Sequence, residues 1–177
     1  SGPWIAGDIE ELYSAGVQKV IIFGNCGVLD SKIEDCSIII PTKGFRDEGT
    51  SYHYVSPSET IEINPDYKED FIKILNEYNF DYTEGYTWTI DAFYRETKDK
   101  IKYFKDNGAV CVEMEGTVIA SVCQRLNMKY FTFYYAGDNL DSTVWDKRSI
   151  EGPTNIDKKK EVLLLALELA VVLNNYE

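Results

Sequence analysis

Apolar positions fall in two rhythms along this chain of 177 residues. One is the 3.6-residue recurrence of a helix buried on one face; the other is the short continuous run of a buried strand. Trp4 to Ala15 carries the first rhythm and predicts a helix, with Pro3 suited to its opening turn and Gly16 to its close. Lys19 to Phe23 predicts a strand ending at Gly24, and Cys36 to Ile40 a second strand stopped by Pro41. Arg46 to Ile63, rich in Gly, Ser, Thr and Tyr, predicts loop with hairpin-like extended segments. Asn64 to Tyr78 predicts a helix, with Asn64 as cap and Pro65 at its first position. Beyond it, a strand is expected over Tyr82 to Ile90 and a helix over Thr97 to Asn107, closed by Gly108. A buried strand at Ala109 to Val112 should run straight into a helix from Glu115 to Leu126. Tyr130 to Ala136 predicts a last strand followed by a Gly/Asp turn, and Lys158 to Asn174 a last amphipathic helix. Strands interleaved with helices imply an α/β layered domain with a parallel or mixed sheet. No repeat, low-complexity tract or linker divides it, so residues 1–177 read as a single domain.

Composition narrows the chemistry. The net charge of −12 argues against nucleic acid and anionic membrane surfaces as partners, since both reward basic patches. The longest apolar run, Val162 to Leu173, is too short to span a bilayer and is interrupted by Glu168. His53 is the single histidine, and Cys26, Cys36, Cys111 and Cys123 form no C-x-x-C pair, so the pattern offers no zinc site. Four reduced thiols in a cytoplasmic protein is the reading that follows.

In open α/β sheets ligands gather beyond the carboxyl ends of the strands, and three such ends carry chemistry here. Phe23-Gly24-Asn25-Cys26-Gly27 is either a simple turn or a close backbone approach to a ligand. It is no Walker-type loop, because no Gly-Lys-Ser/Thr follows. Val112-Glu113-Met114-Glu115-Gly116 sets two carboxylates where strand becomes helix. They either favour the helix dipole or accept hydrogen bonds from neighbouring sugar hydroxyls. Ala136-Gly137-Asp138-Asn139-Leu140 holds an acid that either closes an Asx turn or serves as a desolvated general acid. Phe93, just after a strand, offers a flat ring for stacking on a base.

Taken in order, these ends resemble the purine nucleoside and uridine phosphorylase superfamily. The resemblance also rests on Arg46-Asp47-Glu48-Gly49-Thr50-Ser51-Tyr52-His53-Tyr54 and on Thr87-Trp88-Thr89-Ile90-Asp91-Ala92-Phe93-Tyr94-Arg95-Glu96-Thr97. It implies a three-layer α/β/α fold around a twisted mixed sheet, and a homo-oligomer built from dimers, such as a hexamer. It implies cleavage of a nucleoside's glycosidic bond with phosphate as co-substrate and no metal or organic cofactor. By the same resemblance, Glu115 holds the ribose 2′ and 3′ hydroxyls, Met114 packs on the sugar, and Glu113 lies beside base or ribose. Phe93 stacks on the base, Cys26 and Gly27 line its pocket, and Asn25 stands where a Ser or Thr faces phosphate and sugar. Asp138 matches the acid that protonates the departing base, with Arg148 as its partner.

Two departures from the pattern follow. Where the family places a phosphate-binding arginine, before Phe23, this chain has Ile22, which cannot clamp an anion. Ser1-Gly2-Pro3-Trp4 aligns with a turn well inside the family domain, so the expectation is of a chain without the family's first strands and phosphate loop, more readily a fragment than a truncated homologue. Thr97 and Asp99 stand where the uridine branch places a glutamine and an arginine, and a purine nucleoside is the expected substrate. A nucleosidase using water, or a catalytically silent nucleoside-binding module, are the competing readings.

Overall fold

The computed structural model describes residues 1–175, so the last two positions of the expected domain lie outside it. The described residues form five helices and six strands. They are α1 (Gly2–Ser14), β1 (Lys19–Val28), β2 (Ile38–Asp47), β3 (Thr60–Glu62), α2 (Lys68–Glu77), β4 (Tyr82–Ile90), α3 (Lys98–Asp106), β5 (Ala109–Glu113), α4 (Gly116–Leu126), β6 (Lys129–Asn139) and α5 (Ile156–Asn174). Two short 3-10 turns, Ser51–His53 and Phe93–Arg95, lie between them. The sheet is mixed, in the order β3-β2-β4-β5-β1-β6, and β6 also pairs with β2. That last pairing bends the sheet back on itself, joining β2, β4, β5, β1 and β6 in a closed circuit.

Helices cover both faces, as strand alternation requires. Along β1, Ile21 and Phe23 face the cluster of Phe71, Leu75, Val162, Leu165 and Leu169 from α2 and α5. Val20 and Ile22 face the opposite cluster, where Ala6 and Ile9 of α1 meet Val118, Ile119 and Val122 of α4. The three-layer expectation therefore holds. Phe23 stacks on Phe133 of β6 with ring centroids 5.3 Å apart, locking the parallel β1–β6 pair. All four cysteines are free and buried. Among the described residues no helix is long and apolar enough to cross a membrane.

Four local expectations are corrected. β1 does not end at Gly24 but runs on to Val28, because its backbone stays paired with β6 through the glycines. β6 likewise continues past Ala136: Cys26 pairs with Ala136 and Gly27 with Asp138, so Gly137 is the extra residue of a bulge. Pro41 does not stop β2. The β2–β4 register shifts between Pro41 and Lys43, and that irregularity accommodates a residue without an N–H inside a strand. Asn64 caps no helix. It takes a left-handed conformation at φ 56°, and α2 begins only after a second left-handed residue, Tyr67. The Asn64 amide is spent between strands instead: its Nδ2 donates to the carbonyls of Pro41 (3.0 Å) and Thr132 (2.7 Å), and its Oδ1 accepts from the Thr132 N–H (2.7 Å).

Candidate functional site

The carboxyl-terminal ends of β1 and β6, the β5–α4 junction and the turn after β4 enclose a cavity of about 870 Å³. Its wall includes Asn25, Cys26, Gly27, Phe93, Glu113, Met114, Glu115 and Asp138, so every expected site residue except Arg148 is brought together. The bulge at Gly137 sets Asp138 opposite Gly27. A Cβ at Gly27 would collide with Leu140 and lie 3.0 Å from Asp138 Oδ1, so glycine here is what lets the acid stand against β1.

Glu113 is buried and held by four donors. Thr87 Oγ1 (3.0 Å) and Thr89 Oγ1 (2.6 Å) donate to its Oε1, and the N–H groups of Glu115 (2.6 Å) and Gly116 (2.5 Å) donate to its Oε2. Burial raises its pKa, and the hydrogen bonds from Thr89, Glu115 and Gly116 oppose the rise. Its carboxylate thereby satisfies the free amides that open α4 and fixes the Met114-Glu115 corner. A buried chain of contacts continues beneath: the Thr117 N–H donates to Thr89 Oγ1 (3.0 Å), and Thr117 Oγ1 donates to Glu48 Oε1 (3.1 Å). Glu48 also accepts from the Ser51 N–H (2.9 Å), and Arg46 Nε donates to Ser51 Oγ (2.9 Å). The Arg46–Tyr54 motif is thus a brace under the cavity wall rather than part of it. Glu115 is half-exposed; its Oε2 accepts from the Met114 N–H (3.2 Å), and its Oε1 lies 2.6 Å from the Ser1 nitrogen.

Asp138 is buried with one side-chain donor, Trp145 Nε1, at 2.6 Å from its Oδ2. Burial pushes its pKa up, while the indole hydrogen bond and, more weakly, the charge of Arg148 pull it down. Arg148 does not line the cavity: its Nη1 donates to the Ile33 carbonyl (2.8 Å), and it acts on Asp138 only through its field. Cys26 is a neutral thiol, since burial first and Cys111 second raise its pKa far above the usual value, so it serves as wall and not as nucleophile. Ile22 packs toward the α1/α4 cluster and offers nothing to an anion.

Among the wall residues that sequence reasoning missed are Trp145, Glu96 and Lys98. Trp145 follows Asp138 by seven positions in irregular chain, which carries no pattern. Glu96 and Lys98 both line the cavity. Glu96 lies three residues after Phe93, at the end of the 3-10 turn, and that proximity was a readable signal. Thr97, between them, is the N-cap of α3, accepting from the Lys100 N–H (3.4 Å), and neither it nor Asp99 lines the cavity.

An α/β domain with an acid-lined cleft at its strand ends is the class that this geometry defines. The same fold is found in the crystal structure of the AMP nucleosidase of Bacteroides thetaiotaomicron, with a TM-score of 0.75 and 17% identity, over 96% of this chain and 66% of that one. Residues 9–171 match the family model of the phosphorylase superfamily, and the chain belongs to that family. It is 29% identical over 133 residues to an uncharacterised protein of Acanthamoeba polyphaga mimivirus, covering 75% of this chain and 51% of the other. It is 24% identical over 121 residues to the guanosine phosphorylase of Halorubrum lacusprofundi, covering 68% and 50%. To the DeoD-type purine nucleoside phosphorylase of Bacillus cereus it is 25% identical over 166 residues, covering 92% and 68%. The chain thus spans about half the length of the first two relatives.

Proposed function

We propose that the protein cleaves the N-glycosidic bond of a purine nucleoside, using phosphate as acceptor and releasing free base and ribose 1-phosphate, as a pentosyltransferase. The observation that carries this reading is the position of Asp138, a buried acid with a raised pKa, across one cavity from the Glu113-Met114-Glu115 corner and beside Phe93. Departure of the base leaves positive character on the sugar and negative charge on the base. Asp138, its pKa raised by burial, donates to the base; Phe93 stacks on it; Glu115 accepts from the ribose hydroxyls, with Met114 against the sugar. Glu113, whose oxygens are already engaged, orients Glu115. Arg148, from outside the cavity, pulls the Asp138 pKa back down and stabilises the carboxylate left after proton transfer. Asn25, Cys26 and Gly27 shape the floor. The reaction asks for no cofactor beyond phosphate, and a cytoplasmic homo-oligomer is the proposed setting. The relatives named as guanosine and purine nucleoside phosphorylases support the purine and phosphate assignments.

Hydrolysis is the second reading, and one observation favours it. Lys98 is the one cation in the described wall, against Glu96, Glu113, Glu115, Asp138 and Glu151, which is a poor cradle for phosphate. The structural neighbour named as a nucleosidase points the same way. The test is turnover of inosine, guanosine, adenosine and uridine by the full-length protein with and without phosphate. Phosphate-dependent release of ribose 1-phosphate from purines is expected. Free ribose formed without phosphate would establish hydrolysis, and a preference for uridine would overturn the purine assignment.

A further inference from the structure

Residues 140–155, between β6 and α5, supply part of the cavity wall through Ser142, Thr143, Trp145, Ile150 and Glu151. The segment lies outside the helices and long strands, yet it holds Arg148 in a left-handed backbone at φ 40°. An arginine enters that region only where its surroundings fix it there. The first half of the segment is closed by the paired backbones of Asn139 and Asp146 (2.8 and 3.2 Å), and Asp141 accepts from the Ser31 N–H (3.0 Å). The second half is gripped from the β1–β2 connection. Asp35 accepts from Ser149 Oγ at its Oδ1 (2.7 Å) and from Asn155 Nδ2 at its Oδ2 (2.6 Å), so one carboxylate holds both ends of residues 149–155. Ser149 is fully buried, and Asp35 gives its hydroxyl the acceptor that burial demands. Arg148 Nη1 donates to the Ile33 carbonyl (2.8 Å), two residues before Asp35, and Lys159 of α5 donates to the Ser149 carbonyl.

Between the gripped ends stand Ile150 and Glu151 of the wall, and just ahead of them Arg148, whose charge reaches Asp138. Ile150 lies over the bulge: a Cβ at Gly137 would meet its Cγ1 at 3.6 Å, an ordinary contact. We propose that Asp35 is a positioning residue for Asp138, holding Ile150 against the bulge at Gly137 and Arg148 within range of the acid. This rests on the reading of Asp138 as donor to the departing base.

The consequence has a sign. Arg148 favours the ionised form of Asp138, so it supports the carboxylate left when the proton departs. With the clamp cut, that support weakens, the Asp138 pKa rises and proton transfer slows. Asp35 is itself an anion, and removal of its charge alone acts the other way, lowering the Asp138 pKa. Positioning and plain charge are therefore opposed in direction. The other ionisable groups around Asp138 are Asp146 and Glu151 of the same segment, Glu96 after the 3-10 turn, Lys98 opening α3, Glu113 and Glu115 at the β5–α4 junction, and Cys26 of β1. All of them stay in place in the variants below.

Trp145 reports on Asp138 without turnover, because its indole N–H lies on that carboxylate and its half of the segment is closed without Asp35. Tryptophan emission of the full-length protein is titrated against pH, with the Trp145→Phe protein subtracted to remove Trp4 and Trp88. Asp35→Ala should move the midpoint up by about half a pH unit or more. It should also lower kcat/KM for a purine nucleoside by about ten- to a hundred-fold, as a displaced wall does. Asp35→Asn removes the charge but keeps an acceptor for Ser149, and it should recover most of both losses. Asn155→Gly cuts one arm of the clamp while suiting the left-handed backbone there (φ 56°), and it should give a smaller upward shift. That variant decides the question if circular dichroism shows Asp35→Ala to be unfolded. A midpoint that stays put, or that falls equally in Asp35→Ala and Asp35→Asn, would overturn the proposal. A midpoint that rises, without cleavage of any nucleoside by phosphate or by water, leaves the clamp standing and removes the catalytic reading of the cavity. Cleavage with an unmoved midpoint does the reverse.

Discussion

Asp138 rests in the cavity wall with one side-chain donor, the Trp145 indole, on its carboxylate, whereas Glu113 in the same wall is gripped by four donors. The two arrangements suit different work. A carboxylate that is fully engaged holds its neighbours in place, while one that is desolvated and lightly bonded keeps a proton available. Replacing Asp138 by Asn should therefore lower kcat for a purine nucleoside by about 10²–10⁴-fold, with a much smaller change in nucleoside affinity, measured by steady-state kinetics and direct titration. Equal losses in both would remove the general-acid role. Trp145 offers a finer check. Its N–H stabilises the ionised form of Asp138, so Trp145→Phe should raise the Asp138 pKa further. A general acid works while protonated, so the alkaline limb of the kcat–pH profile should move to higher pH in this variant. A shift to lower pH would contradict the assignment.

At the scale of elements, the sheet is fastened by a residue that is easy to misread. Asn64 ties β2 to β6 through three hydrogen bonds while holding a left-handed backbone. Asn64→Ala should cost about 2–4 kcal/mol by urea denaturation, because it orphans buried carbonyl and amide groups and removes a side chain suited to that conformation. In the sequence, Asn-Pro before an amphipathic stretch reads as a helix start, since capping is a local rule. The carbonyls that claim the amide come from Pro41 and Thr132, far away in the chain, and no local pattern shows them. The same limit explains β1 and β6. Their apolar halves were legible from hydrophobic runs, but their continuation through Gly24, Gly27 and Gly137 depends on each strand supplying the other's partner. β4 was legible in full, because its bounds, Tyr82–Ile90, coincide with its own pattern. The wall residues of the cavity were legible through family motifs. Glu96 lies within the Thr87–Thr97 motif but carries no role there, and Trp145 lies outside the motifs; the fold brings both into the wall.

For the whole molecule, charge is the dominant fact. A net charge of −12 and a cavity wall rich in carboxylates oppose the approach of an anion, though not of a neutral nucleoside. With phosphate as acceptor, raising ionic strength from about 0.01 M to about 0.15 M shortens the Debye length from roughly 30 Å to roughly 8 Å, so KM for phosphate should fall while KM for nucleoside stays nearly constant. A KM for phosphate that rises with salt would place a basic anion site in control instead. Around the closed strand circuit, β6 is flanked on both sides: β1 runs along it, and β2 pairs with Tyr134 and Tyr135. Over Val20 to Asn25, β1 pairs with β6 alone among the described residues. Deuterium should accordingly enter the amides of Val20 to Asn25 well before those of Phe133 to Ala136, and the strand that leads into Asp138 should be among the last to exchange. Asp138, the proposed proton donor, is thus mounted at the end of the strand expected to open last.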